Sequence, residues 1–399
     1  MIAFLIFAGT YFVLAMGRLP GLRVDRAGAA IIGAALMVGA GVLTLDEAYR
    51  AINFDTIILL FGMMILVANL RLSGFFRLVS QRVVERAHHP LALLCAIVAV
   101  SGVFSAFFVN DTMCIVLTPL VLEIAAGLKR NPVPYLLGVA MASNAGSTAT
   151  ITGNPQNMLI GSFSGIPYAR FAAALTPPAI AALAVVAAII YALYRDEFSG
   201  RARVVVEHRP VRVNRPMLWK SAVVAAAMIA AFFVGWPVPK AAIVAGALLL
   251  LTRRVKPEKI YNQVDWQLLV LFAGLFVVVA GMEKSGLEQN LARGVERMHL
   301  ENTYLLSGLT AVISNIVSNV PAVLVFKPFV AHMADPARAW LTLAMSSTLA
   351  GNLTILGSIA NLIVVQRARS QVRIGFWEYA RAGVPVTVVS ILIGAWWLG

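Results

Sequence analysis

The sequence predicts an all-α polytopic membrane protein made of two inverted repeats, each with five crossings, one re-entrant hairpin and one broken helix. Three observations predict it. Sixty per cent of the 399 residues are apolar and only 13% are charged, too few to make a polar skin, so lipid must be the main solvent. Apolar stretches near the ~20 residues of a spanning helix recur along the whole chain. Polar residues also recur in the same order in its two halves.

In chain order the apolar stretches are 2–17, 28–44, 56–73, 91–126, 135–163 and 174–194, then 218–234, 238–252, 266–282, 303–334, 338–366 and 383–398. Residues 1–194 form the first repeat, 195–217 a basic cytoplasmic linker and 218–399 the second repeat. The first stretch has no basic residue before it, whereas Arg18, Arg23 and Arg26 follow. That order is the reverse of a cleavable signal peptide and indicates a retained span with an outside N-terminus. Cys95 and Cys114 lie in apolar stretches and the five histidines are scattered near segment ends, so neither a disulfide framework nor a metal-ligand cluster is expected.

The net charge of +14 follows from topology rather than from a nucleic-acid partner. With the linker inside, alternate loops hold 24 of the 32 Lys and Arg residues, as the positive-inside rule requires. Localisation in the inner (plasma) membrane is expected, with the lipid bilayer as surroundings.

The repeat is visible by eye. Residues 53–74 align with 265–286, placing Gly62 over Gly274, and each copy runs on into a charged interfacial helix. Residues 105–121 align with 314–330, placing Asn110 over Asn319 and Pro119 over Pro328. Residues 141–160 align with 345–364, placing Thr150 over Thr354, Gly153 over Gly357 and Asn157 over Asn361. The 91–126 and 303–334 stretches are short for two full spans at ~20 residues each, and are expected as hairpins entering and leaving on one side. Five crossings per repeat is an odd number, so the second copy is inverted.

Backbone without helical bonding cannot lie in hydrocarbon unless it lines a cavity or is buried in protein. Four such segments are predicted: hairpin tips at Val109, Asn110, Asp111 and Thr112 and at Ser318, Asn319, Val320 and Pro321, and helix breaks over 143–157 and 347–361. Asn154 is placed to cap a new half-helix with Pro155 at its first position, and Ser358 is the equivalent cap. Half-helix N-termini suit an anion, whereas unwound carbonyls and Asn, Ser and Thr oxygens suit a small cation. The candidate ligand-binding residues are therefore Asn110, Asp111, Thr112, Ser143, Asn144, Ser147, Thr148, Gly153, Asn154 and Asn157, with Ser318, Asn319, Asn352, Thr354, Gly357, Ser358 and Asn361. The plain alternative is that these small polar residues only glue helices together, and it weighs most for the serines. Charges deep in a span are costly enough to suggest function. Asp111 is placed at the first tip to bind a cation or exchange a proton. Lys327 attracts an anion, occupies the place of a cation or snorkels to the outer interface. Asp55, Glu123 and Asp265 lie near segment ends and read as interfacial.

These motifs resemble the ion transporter superfamily, in particular its citrate-transporter-like group with the arsenite permeases and divalent-anion/sodium symporters. The marks are Asn110-Asp111-Thr112 with Thr118-Pro119 downstream, Gly153 through Asn157, Ser318-Asn319 with Lys327-Pro328 downstream, and Gly357 through Asn361. The resemblance implies a secondary active transporter moving a small inorganic or carboxylate anion, coupled to H⁺ or Na⁺, by an elevator motion against a homodimeric scaffold. Sodium is a candidate coupling ion at Asn110, Asp111 and Asn154, and no other metal or cofactor is implied. Dicarboxylate symporters of this kind carry Ser-Asn-Thr at both tips, whereas here the tips read Val109-Asn110-Asp111 and Ser318-Asn319-Val320. An acid at the tip looks more like the arsenite-permease branch. The rival readings are a sodium/proton antiporter of the same superfamily, a passive channel, and an intramembrane enzyme using the Ser162 to Gly165 turn. The last lacks the Gly-x-Ser-x-Gly spacing and a histidine within a span.

The topology is testable. A cysteine introduced beside Gly399 should react with an impermeant thiol reagent only from outside the cell, and one in the linker only from inside; the opposite pattern would mean the parity argument fails.

Overall fold

The computed structural model describes the chain except residues 18–22, 85, 88, 200–212, 253–254 and 287–298. Most of the basic linker and the expected charged helix after Gly286 therefore lie outside the described residues. All regular structure among those residues is helical, and seven helices are long and apolar enough to cross a bilayer.

The first half contains α1 (Ile2–Met16), α2 (Arg26–Gly39), α3 (Leu45–Ala51), α4 (Phe54–Ser73), α5 (Phe75–Val84), α6 (Pro90–Phe107), α7 (Asn110–Gly127), α8 (Val133–Ser147), α9 (Pro155–Ser164) and α10 (Tyr168–Leu193). After the short α11 (Arg195–Phe198) come α12 (Arg215–Val234), α13 (Val238–Leu250), α14 (Pro257–Tyr261), α15 (Trp266–Lys284), α16 (Thr303–Val317), α17 (Asn319–Val330), α18 (Pro336–Ala350), α19 (Ile359–Ala368) and α20 (Phe376–Leu398). Apart from α5, whose counterpart position falls outside the described residues, the order of elements in the first half returns in the second.

Local chemistry sets the boundaries. Asn53 and Asp265 occupy the same repeat position and cap α4 and α15, accepting from Thr56 N at 2.8 Å and Leu268 N at 3.0 Å. Thr44 and Glu47 form a capping box at α3. Lys284 Nζ then donates to Glu47 at 2.7 Å, which holds that carboxyl down at about 2 and ties α3 to α15.

One expectation about length needs correction. The arms of the first hairpin, α6 and α7, have 18 residues each, ~27 Å by helical rise, and both qualify as spans. The stretch proved long enough because the turn between the arms takes only Phe108 and Val109. The second hairpin, with arms of 15 and 12 residues, stays short. Parity is indifferent to this, since a hairpin crossing twice and one not crossing at all both return the chain to the same side.

The helices pack as two bundles. In one, α2 lies on α15, α13 on α4, and α1 and α12 flank them. In the other, α6, α7, α8 and α10 pack together with α16 to α20. The first bundle interlocks the halves of the chain: a Cβ at Gly62 would sit 2.6 Å from the Ala242 carbonyl carbon, and one at Gly274 2.6 Å from that of Ala30. Glycine at both crossings lets backbones touch, which is how helices associate where apolar burial gives no preference over lipid. Between the bundles, Tyr11 donates to the Pro321 carbonyl at 3.2 Å and Lys327 pairs with Glu283 at 2.8 Å.

Replacing Gly62 or Gly274 with alanine should destabilise the protein by about 1–3 kcal/mol, as overpacking does. Thermal unfolding in detergent checks it, with Gly9→Ala as control because nothing lies within 4 Å of a Cβ there.

Candidate functional site

Each helix break is shorter than the sequence predicts. The α8 helix runs on to Ser147, then Ile151–Gly153 forms a single 3₁₀ turn before α9. In the second copy α18 runs to Ala350, with its 3₁₀ turn at Ile355–Gly357 before α19. Ser143, Asn144 and Ser147 are thus helical, and so is Ser347, because apolar burial on every side of α8 and α18 favours keeping backbone bonds closed. Asn154 and Ser358 cap the new half-helices, accepting from Asn157 N at 2.8 Å and Ala360 N at 3.2 Å.

Asn157 and Asn361 hold the breaks shut. Asn157 Nδ2 reaches the carbonyls of Ser147, Thr148 and Thr150 at 3.1, 3.4 and 2.9 Å. Asn361 Nδ2 reaches those of Gly351 and Thr354 at 2.7 and 2.9 Å. Both asparagines are fully buried, so each supplies the donor that unwinding removed. Gly153 and Gly357 end the 3₁₀ turns, and a Cβ at Gly153 would overlap the Ser147 backbone.

The two breaks are sewn to each other by side chains. Asn144 Nδ2 donates to Asn352 Oδ1 at 2.9 Å and Asn361 Oδ1 at 3.1 Å, while its Oδ1 accepts from Ser358 Oγ at 3.1 Å and Asn110 Nδ2 at 3.0 Å. At the matching position, Thr348 Oγ1 accepts from Asn154 Nδ2 and Gln156 Nε2, both at 3.2 Å. Asn352 Nδ2 also reaches the Met141 carbonyl at 3.2 Å. Ser143 pairs with Cys114 Sγ at 3.1 Å, and Ser147 and Thr148 bond back to the Asn144 carbonyl.

A cavity of about 80 Å³ lies where these elements meet the other bundle. Of the sequence-predicted residues, Asn110, Asp111, Ser318, Asn319 and Ser358 line it. Thr112, Ser143, Asn144, Ser147, Thr148, Gly153, Asn154, Asn157, Asn352, Thr354, Gly357 and Asn361 do not; those with described bonds support the walls. Lys327 stands elsewhere, in a wider cleft of about 580 Å³ with Ser164 and Trp340. There it pairs with Glu283 and lies 5.1 Å from the Phe163 ring centre.

The cavity is built from helix starts. Its wall includes the first residues of α2, α7, α9, α17 and α19 and the cap of α15. The α7 and α17 helices begin without a side-chain cap, leaving first-turn N–H groups to a ligand. Ser318 enters α17 at φ 80°, strained for a residue with a Cβ. Asn110 Oδ1 is buried without a partner.

Sequence reasoning missed Arg26, Gln156 and Asp265, which also line the cavity. Arg26 reads as a loop charge and Asp265 as interfacial because both end apolar stretches. The signal available was asymmetry: Asp265 aligns with neutral Asn53. The Ser162 to Gly165 turn has no nucleophile geometry, since Ser162 Oγ is bonded to the Met158 carbonyl at 3.2 Å.

A family model described as Citrate transporter matches residues 10–350. The silicon efflux transporter LSI3 of Oryza sativa subsp. japonica is 31% identical, over 97% of this chain and 95% of that protein. A 46 kDa membrane protein of Mycobacterium leprae is also 31% identical, over 98% of both. Among solved structures, the YdaH transporter of Alcanivorax borkumensis has a TM-score of 0.66 at 14% identity, covering 100% of this chain and 96% of that one, a likeness of fold.

Replacing Asn157 or Asn361 with alanine strands two or three buried carbonyls and should cost about 1–3 kcal/mol for each group left unpaired. Thermal unfolding of each variant should fall more than that of Ser162→Ala, whose hydroxyl bonds a carbonyl already within a helix.

Proposed function

From the premise that the chain belongs to the Citrate transporter family, and is therefore a polytopic membrane transporter and not an enzyme, we propose that it is a secondary active transporter of a small oxyacid or its anion, driven by a cation gradient. The observation that carries this reading is the cavity itself: helix N-termini converge on it, two of them uncapped, and two carboxylates share it. The N–H groups suit the oxygens of an anion. The carboxylates require a compensating positive charge.

Charge narrows the substrate: Asp111 and Asp265, which line the cavity, disfavour a multiply charged anion and favour an arsenite-like or silicic-acid-like species. The relative named for silicon efflux supports the same class. Carboxylates remain the alternative within the anion class, and sodium/proton antiport without an anion is the second reading, favoured by the paired acids.

The cavity lies between the two bundles, and on our reading they move against each other as an elevator. The α1, α2, α4, α12, α13 and α15 bundle is the scaffold and would carry the homodimer contact; the other carries substrate. Residues 1–194 and 218–399 are the inverted repeats joined by the linker at 195–217. Asp111 carries the coupling, binding H⁺ or Na⁺, with Asn110 and Asn154 as further oxygens for sodium.

A thermal-shift screen of purified protein against arsenite, antimonite, silicic acid, sulfate, phosphate and di- and tricarboxylates should show stabilisation by the small oxyacids alone. Stabilisation by citrate instead would overturn the substrate class. For coupling, Asp111→Asn should retain exchange of substrate between compartments but lose accumulation against a gradient. Accumulation with unchanged pH and Na⁺ dependence would leave Asp111 a structural residue.

A further inference from the structure

Three charged residues among the described ones line the cavity, and each comes from a different helix start: Arg26 at α2, Asp111 at α7 and Asp265 before α15. Repeat symmetry shows what each would be if only the fold mattered. Asp111 aligns with Val320 and Asp265 with Asn53. The Gly62 contact at Ala242 and the Gly274 contact at Ala30 place Arg26 over Val238, and both are the first residues of their helices. All three counterparts are uncharged.

Capping does not explain the charge at 265. Asn53 caps α4 with the same bond, at 2.8 Å, that Asp265 makes to α15 at 3.0 Å, and Asn and Asp cap about equally well. The negative charge is surplus to the fold. It faces the cavity that Asp111 also lines, and there Asn110, 4% exposed, keeps its Oδ1 buried and unpartnered. An orphaned oxygen beside two carboxylates is completed by a proton donor or a cation. Among the described residues, the other elements at the cavity bring no titratable side chain: α9 offers Gln156, α17 Asn319, α19 Ser358 and α1 Leu14.

We propose that Asp265 is the second half of the cation-coupling site: one positive charge, H⁺ or Na⁺, is held between Asp111 on the substrate-bearing bundle and Asp265 on the scaffold, with Asn110 Oδ1 as a neutral ligand and Arg26 as the fixed counter-charge. This rests on the cation-coupled reading above. Among the described residues, two acids and one arginine leave the cavity one negative charge, which one monovalent cation balances. Because the acids belong to different bundles, sliding one bundle past the other separates them and releases the cation. Binding and movement are thus linked through one pair of side chains.

The test needs no transported substrate. Unfolding of the purified chain in lipid nanodiscs is followed in sodium chloride and in choline chloride across a pH series; a cation bound only by the folded state raises the midpoint. Wild type should respond to Na⁺ or to pH, and which of the two identifies the ion. Asp265→Asn should weaken that response by at least about tenfold, consistent with loss of one nearby charge, with little change in the unfolding midpoint at low cation. Arg26→Gln should strengthen it, and the double variant Arg26→Gln/Asp265→Asn, again with one net negative charge, should return toward wild type. If Asp265→Asn keeps the full response while Asp111→Asn loses it, the proposal is overturned and cation coupling through Asp111 stands. If wild type responds to neither ion, the coupling reading itself falls. Should Asp265→Asn and Asp265→Ser both fail to assemble, the residue is structural and the proposal is wrong.

Discussion

The constraint on which the rest of this structure depends is that peptide groups at membrane depth must find partners inside the protein. Opening α8 and α18 to expose half-helix ends frees carbonyls that water cannot reach. Asn157 and Asn361 answer this with one amide each, spanning two or three carbonyls of the preceding turn. Asn144 and Thr348 then bind each break to the other. With those bonds in place the N-termini of α9 and α19 are held still, and a cavity at their ends has a defined shape. Most of the polar residues in the breaks bond to neighbouring backbone or side chains and do not line the cavity.

Against that near-symmetric frame the charges are one-sided. The caps of α4 and α15, the caps of α9 and α19 and the Asn157 and Asn361 ties recur in both copies, whereas Arg26, Asp111 and Asp265 have no charged counterpart. All three lie on one cavity, which also includes Val320, the uncharged counterpart of Asp111.

Fold class and family were legible because they rest on long patterns: apolar length, alternation of basic loops and a polar motif written twice. Asn154 and Ser358 were legible as caps because an Asn-Pro pair and a Ser in the copy mark helix starts locally. The extent of each break was not, since Ser143 and Asn144 look the same in sequence whether helical or unwound, and burial on all sides of α8 decided it. The pairing of Lys327 was hidden for a related reason: its partner Glu283 is 44 residues away, and nothing local announces the pair. Asp265 was hidden by its position at the end of an apolar stretch, where an acid is ordinarily interfacial.

The two bundles meet through apolar packing and a few polar ties. Within the first bundle, glycine crossings put backbone on backbone at Gly62 and Gly274, contacts that cannot slide without opening the packing. Between bundles the named polar ties are one Tyr11 to Pro321 hydrogen bond and the Lys327 to Glu283 pair, whose side chains are 33% and 27% exposed. A bond of the first kind contributes about 1 kcal/mol net, and a partly solvated pair is of the same order. Neither is large beside the several kcal/mol that a bound substrate and cation can supply at saturating concentration. The polar ties across the boundary are thus modest, apolar packing continues across it, and the cavity sits on it. A ligand bound there touches both bundles at once, which is the arrangement in which occupancy biases their relative position.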